Sequence, residues 1–255
     1  MELNELIEIM AALRSEKGCP WDKKQTAETL KPYIIEEAYE VLDAVDEGNP
    51  EAVKEELGDL LFQIVFQCQL AKEKGDFTMA EVIEGIGRKM IRRHPHVFGD
   101  SVCNTAEDVV ARWEDHKKKE GKLRESILDG VPGSLPSLLR AHRLQARASR
   151  AGFDWEKTEE VLKKLDEEMG EFRKALSAGD REEIEDELGD ILFSLVNVSR
   201  FIEVDPEEAL RKAIAKFIGR FRAIETAAAH ADKELSDMTM EEMDLQWEEA
   251  KRRGL

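Results

Sequence analysis

Cysteine is scarce in this chain of 255 residues, and the little there is excludes two common devices. Cys19, Cys68 and Cys103 are scattered, odd in number and without CxxC spacing, so neither a disulfide framework nor a thiolate zinc site is expected. Prolines number seven and aromatic residues make up 6%. No apolar run approaches the roughly 20 residues of a membrane-spanning helix. The opening MELNELIEIM carries acids where a signal peptide carries basic residues. These absences predict a protein neither exported nor membrane-embedded, with a reducing cytoplasm as its simplest home. A basic excess is missing too: the net charge is −18, whereas a general nucleic-acid binder needs a basic footprint for backbone contacts. Any anionic substrate must therefore meet a local basic patch.

What is present is helix. Hydrophobic residues make up 42% and charged residues 37%, as in soluble proteins rich in amphipathic helices, and strand-like alternation is almost absent. Turn signals at GNP (48–50), KGD (74–76), HPHVFGD (94–100), SAGD (177–180) and VDP (204–206) divide about ten helices. They are predicted near 2–16, 26–46, 50–73, 78–93 and 105–120, and again near 136–150, 156–178, 181–202, 206–229 and 239–252. The stretch GKLRESILDGVPGSLPS (121–137), with three glycines, two prolines and three serines, reads as a linker between units at 1–120 and 138–255.

The two halves repeat one another. EExxE followed by ELGD runs from Glu36 to Asp59 and again from Glu167 to Asp190, at a constant offset of 131 residues. Gly18–Trp21 resembles Gly152–Trp155, Lys89 and Arg93 resemble Lys216 and Arg220, and Trp113–Lys117 resembles Trp247–Lys251. A whole unit was duplicated, which predicts an all-α fold of tandem helical-bundle units.

Residues three apart on a helix are surface neighbours, so Glu37 and Glu40 share one face of their helix, as do Glu168 and Glu171. The following helix brings Glu56 and Asp59, or Glu187 and Asp190, at the same spacing. A short GNP or AGD turn makes the two helices antiparallel neighbours, and four acids are predicted to converge in each unit. One ExxE among 56 acidic residues is ordinarily a solvated face. Repetition within the most apolar helices, ELGDLLF and ELGDILF, argues for a cation instead, because shielded like charges repel unless neutralised. An all-oxygen set suits Mg²⁺, with Mn²⁺ as a substitute, and the lack of histidine in either motif argues against iron. Mg²⁺ shares its sphere with phosphates, so the pattern points to phosphate chemistry.

Candidate phosphate partners are Lys164, one turn before Glu168, and Lys216 with Arg220, one turn apart. The segment 137–152 adds Arg140, Arg143, Arg147 and Arg150 with no acid. Trp247 and Trp113 each precede a lysine by four residues, a spacing that suits either core packing or stacking on a base. His94 and His96 have no counterpart in the second unit.

EExxE, ELGD, KxxxR and WExxK, each written twice, together resemble the MazG family of all-α nucleoside triphosphate pyrophosphohydrolases. GCPWDKKQTAETLKPYIIEEAYE, RRHPHVFGD and AGFDW also look like that family, over nearly the whole chain. The resemblance implies Mg²⁺-dependent hydrolysis of nucleoside triphosphates to monophosphate and pyrophosphate, broad base tolerance, a homodimer, and chemistry in the second unit. It implies metal binding by Glu168, Glu171, Glu187 and Asp190, phosphate binding by Lys164, Lys216, Arg220 and Lys117, and nucleoside contact by Trp247. Glu37, Glu40, Glu56 and Asp59 are then a second, non-catalytic centre, since Tyr33 stands where the other unit has Lys164. Glu183 departs from relatives that carry lysine four residues before the third metal carboxylate.

The expected mechanism is in-line attack of a metal-activated water at the α-phosphorus, with Lys and Arg stabilising the leaving pyrophosphate. No Ser, Cys or His constellation supports a covalent intermediate. Two other readings stay open at this level: a non-catalytic helical scaffold or signalling-nucleotide binder, and a hydrolase of another phosphate ester.

Overall fold

The computed structural model describes residues 2–99, 105 and 126–255. The helix expected near 105–120, and with it Trp113 and Lys117, falls outside the described residues, as does Cys103. The chain forms two units, Met1–Lys122 and Leu123–Leu255. In the first, α1 (Leu3–Arg14), α2 (Pro20–Lys24), α3 (Lys31–Glu47), α4 (Pro50–Lys74), α5 (Met79–Arg93) and α6 (Pro95–Phe98) follow one another. In the second come α7 (Ser137–Arg150), α8 (Thr158–Ala178), α9 (Arg181–Phe201) and α10 (Pro206–His230), then a 3₁₀ turn at Leu235–Asp237 and α11 (Met240–Arg252). No strand occurs among the described residues, and no helix there is long and apolar enough to cross a membrane.

Helix α3 begins five residues later than its periodicity predicts. Thr26 and Thr29 exchange hydrogen bonds, Thr26 N–H to Thr29 Oγ1 at 2.9 Å and Thr29 N–H to Thr26 Oγ1 at 3.2 Å, which closes a turn in place of a helical start. Pro32 then sits in the first turn of α3, where a missing N–H costs nothing.

Each unit is built on a hairpin, α3–α4 or α8–α9, and these are the most extensive helix pairings among the described residues. The two turns share one construction. Gly48 (φ 65°) and Gly179 (φ 75°) end their helices in the left-handed region, where a side chain would be strained although open space surrounds the position. The next residue caps the second helix: Asn49 Oδ1 accepts from Glu51 and Ala52 N–H, and Asp180 Oδ1 accepts from Glu182 and Glu183 N–H. Glycine plus cap thus sets the register of one helix against the other.

Other helices cover one side of each hairpin. Helix α1 packs on α4, where Met10, Leu30, Val65, Phe66 and Leu70 form a core flanked by Leu3, Leu6, Ile7, Phe62 and Met79. Helix α7 packs on α9, and Val161, Ala175, Ile191 and Val196 are buried within the second unit. An ion pair ties each hairpin to the segment before it. Arg14 meets Glu73 twice, Nε to Oε1 at 2.8 Å and Nη2 to Oε2 at 2.6 Å, while Arg200 grips Asp154, with Nη1 2.9 Å from Oδ2. Both carboxyls are held below the usual range, chiefly by these arginines.

The other side of each hairpin is apolar and exposed among the described residues. Leu57, Leu61 and Ile64 on α4, and their counterparts Leu188, Leu192 and Leu195 on α9, are 37–51% exposed.

Candidate metal centres

The hairpin register brings carboxylates of both helices together. In the second unit, oxygens of Glu168, Glu171 and Glu187 lie within 4.8 Å of one another, and in the first unit Glu37, Glu56 and Asp59 do the same. Asp190 stands outside its triad but contributes repulsion to Glu187, and Glu40 does so to Glu37. Three of the four expected acids therefore converge in each unit. The triads differ in composition: one takes two acids from its first helix, the other two from its second.

All of the triad acids but Asp59, which is exposed, are shielded. Glu168 is buried at 5% exposure, and Glu37, Glu56, Glu171 and Glu187 are half-buried. Burial pushes the Glu187 carboxyl above the ordinary range, and Glu171, Glu168, Asp190 and Glu183 add to the rise. Glu183 thus adds repulsion to the centre. The Glu37 and Glu56 carboxyls are raised as well, by burial first and then by neighbours that include Asp59. Glu187 Oε2 is buried with no hydrogen-bond partner in its unit. An unpartnered carboxylate oxygen in a triad of like charges fits a hard divalent cation, which satisfies the lone pairs and cancels the repulsion.

Each unit adds a different group to its triad. Lys164 Nζ lies 2.7 Å from Glu168 Oε1 and 2.9 Å from Glu167 Oε1, and these bonds push the ammonium pKa up. In the first unit the position equivalent to Lys164 is Tyr33, and Glu37 receives instead a 3.3 Å hydrogen bond from Gln63 Nε2. Gln63 did not stand out in the sequence because its counterpart is Ser194. Its position four residues after Asp59, on the Glu56 and Asp59 face of α4, is the signal that finds it.

The remaining expected residues fall into separate groups. Lys216 is exposed on α10, and its side chain makes no ion pair or hydrogen bond among the described residues. Arg220, half-buried one turn on, lies over the Trp247 ring at 5.4 Å and donates from Nε to the Leu255 main-chain oxygen at 2.7 Å. Trp247 also meets Phe217 with ring centroids 5.4 Å apart, so it joins Arg220 in one aromatic and cationic patch. No ion pair joins that patch to the carboxylates among the described residues. Of the basic segment, Arg147 is committed to structure, since it donates to the main-chain oxygens of Leu128, Asp129 and Gly130. His94 Nδ1 lies 2.8 Å from Met90 O at the end of α5, with the His96 ring 5.6 Å away, so this pair orders the helix end.

Known proteins resemble this chain over both units. The profile of the MazG nucleotide pyrophosphohydrolase domain matches residues 25–98 and 156–224, one segment in each unit, and each segment contains its triad. The nucleoside triphosphate pyrophosphohydrolase/pyrophosphatase MazG of Thermotoga maritima is 48% identical over 97% of this chain and 94% of its own length. The nucleoside triphosphate pyrophosphohydrolase of Escherichia coli K12 is 42% identical over 100% of this chain and 98% of its own. A crystal structure of a MazG-related protein from Thermotoga maritima aligns with 46% of this chain and 99% of that one, at 28% identity and a TM-score of 0.40. Matched in both halves, and paired end to end with relatives of that name, the chain belongs to the MazG nucleotide pyrophosphohydrolase family.

Proposed function

We propose that the protein hydrolyses nucleoside triphosphates to monophosphate and pyrophosphate, and that the second unit does the chemistry with Mg²⁺, or Mn²⁺ in its place. The observation that carries this reading is the partnerless buried oxygen of Glu187 inside the Glu168, Glu171 and Glu187 triad, with Lys164 one turn away. The names of the two full-length relatives support the same activity. A divalent cation held by Glu168, Glu171 and Glu187 would supply positive charge to the phosphate oxygens and acidify a water for attack at the α-phosphorus.

The chain's own residues do the rest. Glu168, Glu171 and Glu187 hold the cation, and Asp190 adds negative charge beside them. Lys164 keeps Glu168 in place and stands ready to exchange part of that ion pair for a phosphate oxygen. Lys216 and Arg220 are assigned to the pyrophosphate end, where they offset the developing charge. Trp247 is assigned to the nucleoside. Stacking reads a ring face common to all bases, and this supports broad base tolerance. The repeated uncovered faces of α4 and α9 support a homodimer, because two-helix hairpins need further helices to complete a bundle. The acidic net charge supports a partner list without nucleic acid.

Incubation with ATP, dGTP and UTP plus Mg²⁺, scored for pyrophosphate, tests the reading. Pyrophosphate is expected from all three. Its absence with every substrate, or release of orthophosphate alone, would refute cleavage between the α and β phosphates.

A further inference from the structure

The first unit carries an exposed aromatic pair beside its acidic centre, and the site just proposed for the second unit does not use it. Trp21 is 51% exposed and Tyr33 37%, with ring centroids 6.0 Å apart and planes at 77°. Tyr33 lies one turn before Glu37 on α3, so the pair stands at the edge of the Glu37, Glu56 and Asp59 triad. Solvent gives no reason for two large rings to stay so open.

The segment that presents Trp21 is firmly placed. At Gly18 a Cβ would lie 2.1 Å from Leu13 O, so only glycine allows the tight turn that folds α2 back towards α1. Arg14 Nη1 donates to Asp22 O, and Lys23 Nζ donates to Glu16 O at 2.7 Å. The aromatic surface is thus preorganised, as a stacking platform must be.

The triad has its own sign of a missing ligand. Gln63, 8% exposed, places Nε2 on Glu37 Oε1, and its Oε1 is buried there without a partner. An amide oxygen is a good ligand for a hard cation, or for a water such a cation keeps.

The exchange of Lys164 for Tyr33 gives the ligand class. It removes a phosphate-neutralising charge and adds a base-stacking surface at the same position, which favours a nucleotide with fewer phosphates. We propose that the first unit binds a nucleoside monophosphate with a divalent cation, the base on Trp21 and Tyr33 and the phosphate on a cation held by Glu37, Glu56 and Asp59 beside Gln63. The inference rests on the nucleotide chemistry proposed above and assigns this unit the product of that reaction as ligand. The site binds and does not hydrolyse.

The full chain labelled with 5-fluorotryptophan tests this by ¹⁹F NMR, with the Trp21 resonance assigned through Trp21→Phe. AMP with Mg²⁺ is expected to shift that resonance in a saturable way, and ribose 5-phosphate with Mg²⁺ is expected to leave it in place. Glu37→Gln should weaken the AMP response by about 10- to 100-fold. An unmoved resonance at millimolar AMP, an equal shift with ribose 5-phosphate, or an unchanged titration in Glu37→Gln would each overturn the inference. Pyrophosphate release from ATP by the same sample reports on the second unit. Release with an unmoved Trp21 refutes the monophosphate site alone, and a moved Trp21 without release refutes the catalytic reading alone.

Discussion

Lys164 Nζ sits 2.7 Å from Glu168 Oε1, so the most buried acid of the second triad is also the one with a cation on it. The pair gives that centre a lower net negative charge than the first, where Glu37 has only the neutral Gln63 as donor. A triphosphate is expected to prefer the less negative centre.

Lys164→Met should therefore raise KM for ATP and lower kcat/KM by about 10²-fold, the effect of losing a charge-assisted phosphate contact of roughly 2–3 kcal/mol. The three carboxylates survive the change, so Mg²⁺ binding followed by calorimetry should persist. Loss of the cation together with activity would show that Lys164 only shapes the triad.

Replacing Glu187 and Asp190 together by Ala should reduce pyrophosphate release about a hundredfold more than replacing Glu56 and Asp59. Steady-state release assays on the two double variants decide the point. Equal losses would mean that both units share the turnover.

Acidity should act on the two kinds of carboxylate in opposite senses. The raised carboxyls of Glu37, Glu56 and Glu187 hold protons more tightly in the folded chain than in the unfolded one. Their contribution to stability is complete below the ordinary carboxylate range and is lost as pH rises through their raised values. Glu73 and Asp154, held low by arginine, contribute above the ordinary range and lose that contribution as pH falls through their lowered values. With chelator present, Tm should rise as pH is lowered from neutrality through the raised values towards the ordinary carboxylate range, before the arginine pairs begin to fail. The increase in Tm caused by Mg²⁺ should shrink over the same interval, since protons and cation compete. A Mg²⁺ effect independent of pH in thermal melts would count against cation binding at the triads.

Leu61→Glu with Leu192→Glu places a charge on each uncovered face, at positions 37% and 47% exposed in the chain alone. If the proposed homodimer forms through these faces, the parent chain should sediment as a dimer and the variant as a monomer, with its helical circular dichroism retained. An unaltered dimer would assign the interface to another surface.

The hairpins could be read from sequence because their determinants are local: a glycine, a cap and apolar periods on either side of one short turn. The late start of α3 could not, since the Thr26 and Thr29 exchange competes with the helix through side-chain bonds that leave no periodic trace. Helices α2 and α6, five and four residues long, are too short to show a period. The acids of each centre were visible through repetition, whereas the different membership of the two triads depends on side-chain placement at near-equal helical positions. Gln63 escaped for the converse reason: a neutral residue without a repeat partner has neither charge nor duplication to mark it. Trp247 was expected at the nucleoside and Arg220 at the phosphates, but their pairing joins residues 27 positions apart, which spacing alone does not reveal.

The glycine-and-cap turns have a consequence for how the chain tolerates length changes. Surface turns ordinarily accept extra residues at little cost. One residue inserted between Gly179 and Asp180 would rotate α9 by about 100° relative to α8 if the helix simply restarted later. Glu187 would then swing away from Glu168 and Glu171 while every residue of the triad stayed in the sequence. The same holds for Gly48 and Asn49 in the other half. In this molecule the shortest loops are fixed spacers, and a single-codon insertion there is a more severe lesion than many substitutions in the helices they join.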